Sequence, residues 1–250
     1  MTPPFQVAFR LDLPHGRCVG VALPESSGQG AAEEGDGVEA SIAPAVLGAL
    51  PEAERRHVEA LAPARRASWV GGRLALRAAL ADLSCDAGPI LATPRGAPLV
   101  PPLARGSISH KRSLAVGLAA LARDQDPVAE GAAWQIGIDL ERVVAGHSGV
   151  AGYVLRPEER ERLPPPDDPA RTEEILFAFS AKEAIYKALD PFLGRYVSFR
   201  EVAVARAADG SARATFHLRP EAPPAAFEVG LHWLRRDEFI LTTARVRRAR

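Results

Sequence analysis

Cysteine is scarce in this chain: there are two, Cys18 and Cys85, among 250 residues. No CxxC pair and no Cys/His cluster accompanies them, which argues against a disulfide framework and a cysteine-based zinc site. An excess of one charge is also missing. Lysine plus arginine and aspartate plus glutamate number 31 each, so bulk charge gives no case for general nucleic-acid binding. Lysine is rare beside arginine and alanine is abundant, a composition read first as coding bias. No apolar run reaches the ~20 residues of a membrane span, and SLAVGLAALA is too short. The opening MTPPFQVAFRLDLPHG has no basic start followed by an apolar run, so it does not read as a signal peptide. The expectation is a cytoplasmic protein with no nucleic-acid partner and no membrane span. Its length suits one large domain or two small lobes.

What is present is ordinary globular material, 47% hydrophobic and 25% charged. FQVAFRLDL alternates as a first strand does. SSGQGAAEEGDG (26–37) reads as a polar loop. A helical pattern runs from Pro44 to Leu61 and contains the mixed charges EAERRHVEA. A second, Ala64 to Leu83, carries two central glycines, which fit close packing of its backbone against a neighbour. TPRGAPLVPPLARG is rich in turn residues, and SISH followed by LAVGLAALA suits strand structure. ARDQDPVAEGA reads as a connector. WQIGIDLERV is a strong strand candidate. Helices are expected near Gly149 to Leu163 and Thr172 to Leu189, with PPPDDP between them. The last third alternates as three or four antiparallel strands, with Arg236-Asp237 at a hairpin turn. The pattern is α+β, as two lobes meeting near residues 122–134.

Three stretches can carry chemistry. In GIDLE, side chains two apart on a strand point the same way, so Asp139 and Glu141 would share a face. Paired hard oxygens suit Mg²⁺, which takes carboxylates, waters and substrate phosphates. A strand turning polar as it meets solvent gives the same letters. On the helix that carries FSAKEAIYKAL, Ile175, Ala178, Ile185 and Leu189 form an apolar stripe, with Glu183 and Lys187 roughly opposite. These two charges could be a surface pair of favourable order. They could instead be a third metal carboxylate and a phosphate-directed ammonium. In GSISHKRS, Ser107, Ser109 and His110 offer groups to phosphate oxygens, with Lys111 and Arg112 adjacent. Ser109 and His110 are strand neighbours and should face apart, which disfavours a Ser–His nucleophile. Arg65, Arg66, Arg73 and Arg77 lie on or beside the glycine-bearing helix, either as a solvated face or as a phosphate-facing patch. The C-terminal RVRRAR is most simply a solvated tail.

RGAPLVP, GSISH, GIDLE and FSAKEAIYKAL, in that order, resemble the signature of the 4′-phosphopantetheinyl transferases. The nearer likeness is to the class of enterobactin synthetase component D and the surfactin-synthetase activator. The resemblance covers roughly Arg65 to Leu189, and position 179 is Phe where some relatives carry Trp. It implies two similar α/β lobes with pseudo-twofold symmetry, residues 1–125 and 126–250, the second carrying the metal-site motifs and coenzyme A lying in the cleft. It implies Mg²⁺-dependent transfer of phosphopantetheine from coenzyme A to a serine of an apo acyl or peptidyl carrier protein. The other product would be adenosine 3′,5′-bisphosphate. Such enzymes are monomeric and serve siderophore, nonribosomal peptide or polyketide biosynthesis.

Carried over by position, Asp139, Glu141 and Glu183 would hold Mg²⁺, and Lys187 would steady phosphate charge and assist the leaving group. Ser109 and His110 would bind coenzyme A phosphates, Gly96 to Pro98 would lie by the adenine, and Arg66 and Arg73 would meet the 3′-phosphate. The serine base would be Glu183 or a water held by the acids. Carrier docking is expected near Tyr153 to Leu163 and the Pro164–Pro169 loop. Two other readings stay open: a metal-dependent phosphohydrolase, and a non-catalytic relative that binds coenzyme A or a carrier.

Overall fold

The computed structural model describes residues 3–24, 42–122, 134–143, 147–219 and 227–249. The polar loop at 26–37 and most of the 122–134 connector therefore lie outside the described residues. The chain divides into two compact units, Met1–Leu121 and Ala122–Arg250. Each is α+β.

The N-terminal unit begins with strands β1 (Val7–Leu13) and β2 (Gly16–Ala22). Helices α1 (Pro44–Gly48), α2 (Glu52–Ala60) and α3 (Pro63–Asp82) follow, then the hairpin β3 (Ala104–Lys111) and β4 (Leu114–Leu121). The four strands form one antiparallel sheet in the order β1-β2-β4-β3. The single helix expected from Pro44 to Leu61 is two, because Pro51 has no N–H to continue the first and is set at the N-cap of the second. β2 went unread in the sequence, since GRCVGVA lacks polar alternation; all of Cys18 to Val21 is buried.

α3 lies across the sheet, and its two glycines allow the approach. A Cβ on Gly71 would overlap the Leu23 side chain, and one on Gly72 would come within 2.6 Å of Ile108 Cγ2. Val19, Leu76, Ala79, Leu80, Ile90, Ala104 and Ala119 fill the space between helix and sheet. Of the arginines of this helix, Arg65 is exposed, whereas Arg73 and Arg77 do not form a solvated face. Arg77 pairs with the fully buried Glu54 of α2 and donates to the Ala87 carbonyl at 2.7 Å. Arg73 is buried, with its guanidinium 4.0 Å from the Trp69 ring centre.

The C-terminal unit holds β5 (Gln135–Arg142), a 3₁₀ turn at His147–Val150, then α4 (Ala151–Val154) and α5 (Pro157–Arg160). The long helix α6 (Pro169–Leu193) comes next, followed by β6 (Val202–Arg206), β7 (Ser211–Phe216), β8 (Phe227–Arg236) and β9 (Phe239–Arg248). The helix expected from Gly149 to Leu163 is broken into short pieces. Arg156, the residue before Pro157, is extended, as the proline ring requires. The sheet is antiparallel in the order β5-β9-β8-β7-β6. The four terminal strands are as expected, with Asp237 at φ +52° in the hairpin turn, and β5 adds a fifth at one edge.

α6 starts at Asp168, whose side chain accepts the Ala170 N–H at 2.8 Å, with Pro169 in the first turn. It ends where Pro191 withholds an N–H and Gly194 takes the left-handed conformation. Between these points it packs on β5 and β9 and buries Ile175, Phe177, Ala178, Ala181, Ile185 and Leu189. Each fully buried isoleucine, leucine or phenylalanine among them stabilises by about 1.5–3 kcal/mol relative to exposure. That burial, rather than intrinsic propensity, holds the helix in register over β5.

Candidate active site

β5 offers every second residue to α6. Gly137 lies beneath the helix, where a Cβ would overlap the Ala184 carbonyl. Asp139 and Glu141 follow on the same side of the strand. Both are buried. Thr242 of β9 pairs with Asp139 across the ladder, and its hydroxyl shares a 2.7 Å hydrogen bond with that of Ser180 on α6. The close approach that Gly137 permits sets the reach from helix to strand.

Lys187 makes that reach. Its Nζ donates to Asp139 Oδ1 at 2.8 Å and to the Ile138 carbonyl at 2.9 Å. The ammonium therefore bonds across to the strand. Glu183 stands one turn earlier on the helix and is half-buried. Burial raises the pKa of its carboxyl, the charge of Asp139 raises it further, and Lys187 pulls it back. The two acids thus sense each other's charge, and one lysine partly neutralises the pair.

Lys182, beside Glu183 in sequence, faces elsewhere. It is fully buried, with Nζ 2.6 Å from Glu159 Oε2 and 2.8 Å from the Val154 carbonyl. Burial lowers its pKa, and the bond to Glu159 raises it in part. Glu159 also accepts the N–H groups of Arg156 at 2.8 Å and Val204 at 2.7 Å. This hub ties α4, α5, α6 and β6 together, and sequence reasoning missed it. The only available signal was Glu159, three residues after Arg156, whose carboxylate accepts the Arg156 N–H as one half of a capping box.

The remaining site candidates belong to the N-terminal unit. Ser109 is buried on β3 and His110 is exposed on the opposite face, as their adjacency requires. Gly96 turns at φ +87° in a loop closed by Thr93, whose N–H donates to the Ala97 carbonyl at 2.8 Å, and Pro98 bridges to Ala92. Arg66 donates to the carbonyls of Leu61 and Glu59, both at 3.1 Å, across the α2–α3 junction. Burial lowers the Arg73 guanidinium to a pKa of about 10, against an opposing effect of Glu54. At the expected docking face Tyr153 is exposed, and its hydroxyl lies 3.0 Å from that of Tyr196, an exposed residue outside the expected segments. Phe179 stacks on Phe199 at 5.2 Å.

Among the described residues, no three His, Cys, Asp or Glu side chains are gathered so as to hold a metal ion by themselves. The donors nonetheless suit magnesium in kind. Mg²⁺ is usually bound through one or two carboxylates and completed by waters and substrate phosphates. Asp139 and Glu183 are hard oxygen donors whose mutual repulsion a cation would relieve.

Acids and an ammonium set where a strand meets a helix are groups chemically suited to handling phosphate charge. Residues 135–244 match the model of the 4′-phosphopantetheinyl transferase superfamily, and residues 53–120 match that of the 4′-phosphopantetheinyl transferase N-terminal domain. The chain is 34% identical over 192 residues to the 4′-phosphopantetheinyl transferase Npt of Nocardia iowensis, covering 71% of this chain and 81% of that protein. It is 35% identical over 159 residues to the 4′-phosphopantetheinyl transferase Svp of Streptomyces mobaraensis, covering 62% of this chain and 60% of that protein. Among solved structures, an ACPS–CoA complex of Chronobacterium ammoniagenes is similar at a TM-score of 0.39 and 20% identity, over 47% of this chain and 99% of that one. The chain belongs to the 4′-phosphopantetheinyl transferase family, enzymes that transfer phosphopantetheine from coenzyme A to carrier proteins.

Proposed function

We propose that this enzyme acts on apo acyl or peptidyl carrier proteins of natural-product pathways (siderophore, nonribosomal peptide or polyketide). In this reading it is a cytoplasmic monomer, uses Mg²⁺, and releases adenosine 3′,5′-bisphosphate. The observation that carries the site assignment is the bond from Lys187 to Asp139 beside Glu183. A serine hydroxyl is a weak nucleophile and a pyrophosphate is highly anionic, so transfer needs neutralisation, alignment and a proton acceptor.

Asp139, Glu141 and Glu183 would hold the magnesium ion, which when bound supplies charge neutralisation for the pyrophosphate. Lys187 presents its ammonium to a phosphate oxygen. Glu183 accepts the serine proton, because a carboxylate with a raised pKa is a stronger base. Arg66, Arg73, Gly96, Pro98, Ser109 and His110 are the proposed contacts for coenzyme A in the N-terminal unit. The exposed Tyr153 and Tyr196 support carrier docking on that side of the C-terminal unit.

The test is intact-mass analysis of an apo carrier incubated with the enzyme, coenzyme A and Mg²⁺, beside an EDTA control. A phosphopantetheine-sized gain that EDTA abolishes is expected. Release of phosphopantetheine without an acceptor would favour a hydrolase instead.

A further inference from the structure

Lys187 has a partner that the transfer reaction should want for something else. Its ammonium lies 2.8 Å from Asp139 Oδ1 and 2.9 Å from the Ile138 carbonyl, with its side chain about a third exposed. Asp139 is buried, so few directions of approach to its carboxylate remain. The ammonium takes Oδ1, and a divalent ion drawn to the same buried carboxylate would meet that positive charge at close range. The two repel each other at such separations. Lys187 on Asp139 and a metal on Asp139 are therefore competing states. A substrate pyrophosphate changes the balance, because it offers the lysine several anionic oxygens in exchange for one.

We propose that Lys187 holds the cation's place on Asp139 until substrate arrives, and that magnesium binding requires Lys187 to change partner from Asp139 to a substrate phosphate. This inference rests on the magnesium reading above. The exchange would couple the two ligands. Magnesium alone binds poorly because it must displace the lysine, and coenzyme A favours magnesium by taking the lysine away. Coupling of this kind is reciprocal, so magnesium strengthens coenzyme A binding by the same factor. The device also spares the substrate-free enzyme from leaving neighbouring acids uncompensated.

The experiment is calorimetric titration of the full-length protein with Mg²⁺ alone, for wild type, Lys187→Met and Lys187→Gln, with Asp139→Asn as the reference for a damaged site. Near-ultraviolet circular dichroism checks the fold. Both lysine variants are expected to bind Mg²⁺ about tenfold tighter than wild type, since a competing positive charge has been removed. They should also lose carrier modification. Lys187→Arg keeps the charge and should bind Mg²⁺ no tighter than wild type. Equal Mg²⁺ affinity in wild type, Lys187→Met and Lys187→Gln overturns the exchange and leaves the magnesium reading standing. No Mg²⁺ uptake by any of them, with coenzyme A present as well, overturns both.

Discussion

Lys182 and Lys187 stand on one helix and meet unlike surroundings. Lys187 is partly exposed and bonds to Asp139, so its ammonium remains within reach of a ligand. Lys182 is sealed against Glu159 and the Val154 carbonyl. Breaking a buried pair leaves an uncompensated charge, at a cost of about 3–5 kcal/mol. Lys182→Met should therefore lower the unfolding free energy read from urea titration by an amount in that range, and the double variant Lys182→Met/Glu159→Gln should recover part of it. The glutamine still accepts the Val204 N–H and no lone charge remains. A double variant no more stable than the single one would sink this account. Glu183→Gln is a different case. Its neighbour's charge disfavours the ionised carboxylate, so neutralising it should leave the fold intact, even slightly more stable. Transfer measured by intact mass should fall at least about a hundredfold, the scale of a lost acid–base group. Turnover within a few-fold of wild type would remove Glu183 from the site. In the sequence, the letters KExxxK gave the two outward charges and their spacing. They could not distinguish a lysine that reaches a strand from one that is buried, because the burying partner, Glu159, lies on another helix.

The contact between α6 and β5 depends on a single residue without a side chain. A Cβ on Gly137 would overlap the Ala184 carbonyl and stand 3.1 Å from the Ala188 N–H nitrogen, both of them helix backbone. Backbone inside a packed helix yields little, so the strand and helix would have to separate. Gly137→Ala should cost about 2 kcal/mol or more. It should also lower transfer, because separation lengthens the reach from Lys187 to Asp139. Gly72→Ala is the control, since its Cβ would meet the Ile108 side chain, which can rotate or shift. Unfolding of both variants in urea should rank Gly137→Ala as the more damaging, and the reverse order would contradict this view of the contact. The glycine pair of α3 was legible as a mark of close packing, and GIDLE was legible as a strand. Two breaks in the helices were not credited to Pro51 and Pro157, although each proline was in view. β2 escaped because a strand buried along its length does not alternate. Glu54 escaped for the opposite reason. EAERRHVEA reads as a surface run, yet one of its acids is held by Arg77 and the Ile90 N–H at 2.6 Å.

Across the whole molecule the charges cancel, and a net charge of zero conceals how unevenly they are used. Several acids are held below the ordinary range by local donors. Asp82 is held chiefly by Arg17, Glu158 by Arg156, and Asp209 by Ser211. The largest case is Glu201, brought down to about 2 against the effect of its own burial. Arg195 donates to it at 2.7 Å, and the N–H groups of Ser198 and Arg219 donate at 2.9 and 3.0 Å. In the unfolded chain this carboxyl titrates near 4.5. A folded pKa below the unfolded one means that the unfolded state binds protons first as the solution is acidified. The stabilisation is then complete above about pH 4.5 and is lost as the pH falls through that value towards 2. Glu183 works the other way, since its raised pKa favours the folded state on acidification, but it is one group against four. The net expectation is a protein that loses stability as the pH falls below about 4.5, chiefly through Glu201. Glu201→Gln isolates the largest contribution. At pH 7 the variant should unfold at clearly lower urea than wild type, and at pH 3 the gap between them should have narrowed. A gap of constant size across that range would mean that Glu201 contributes through packing and hydrogen-bond geometry, with no part played by its charge.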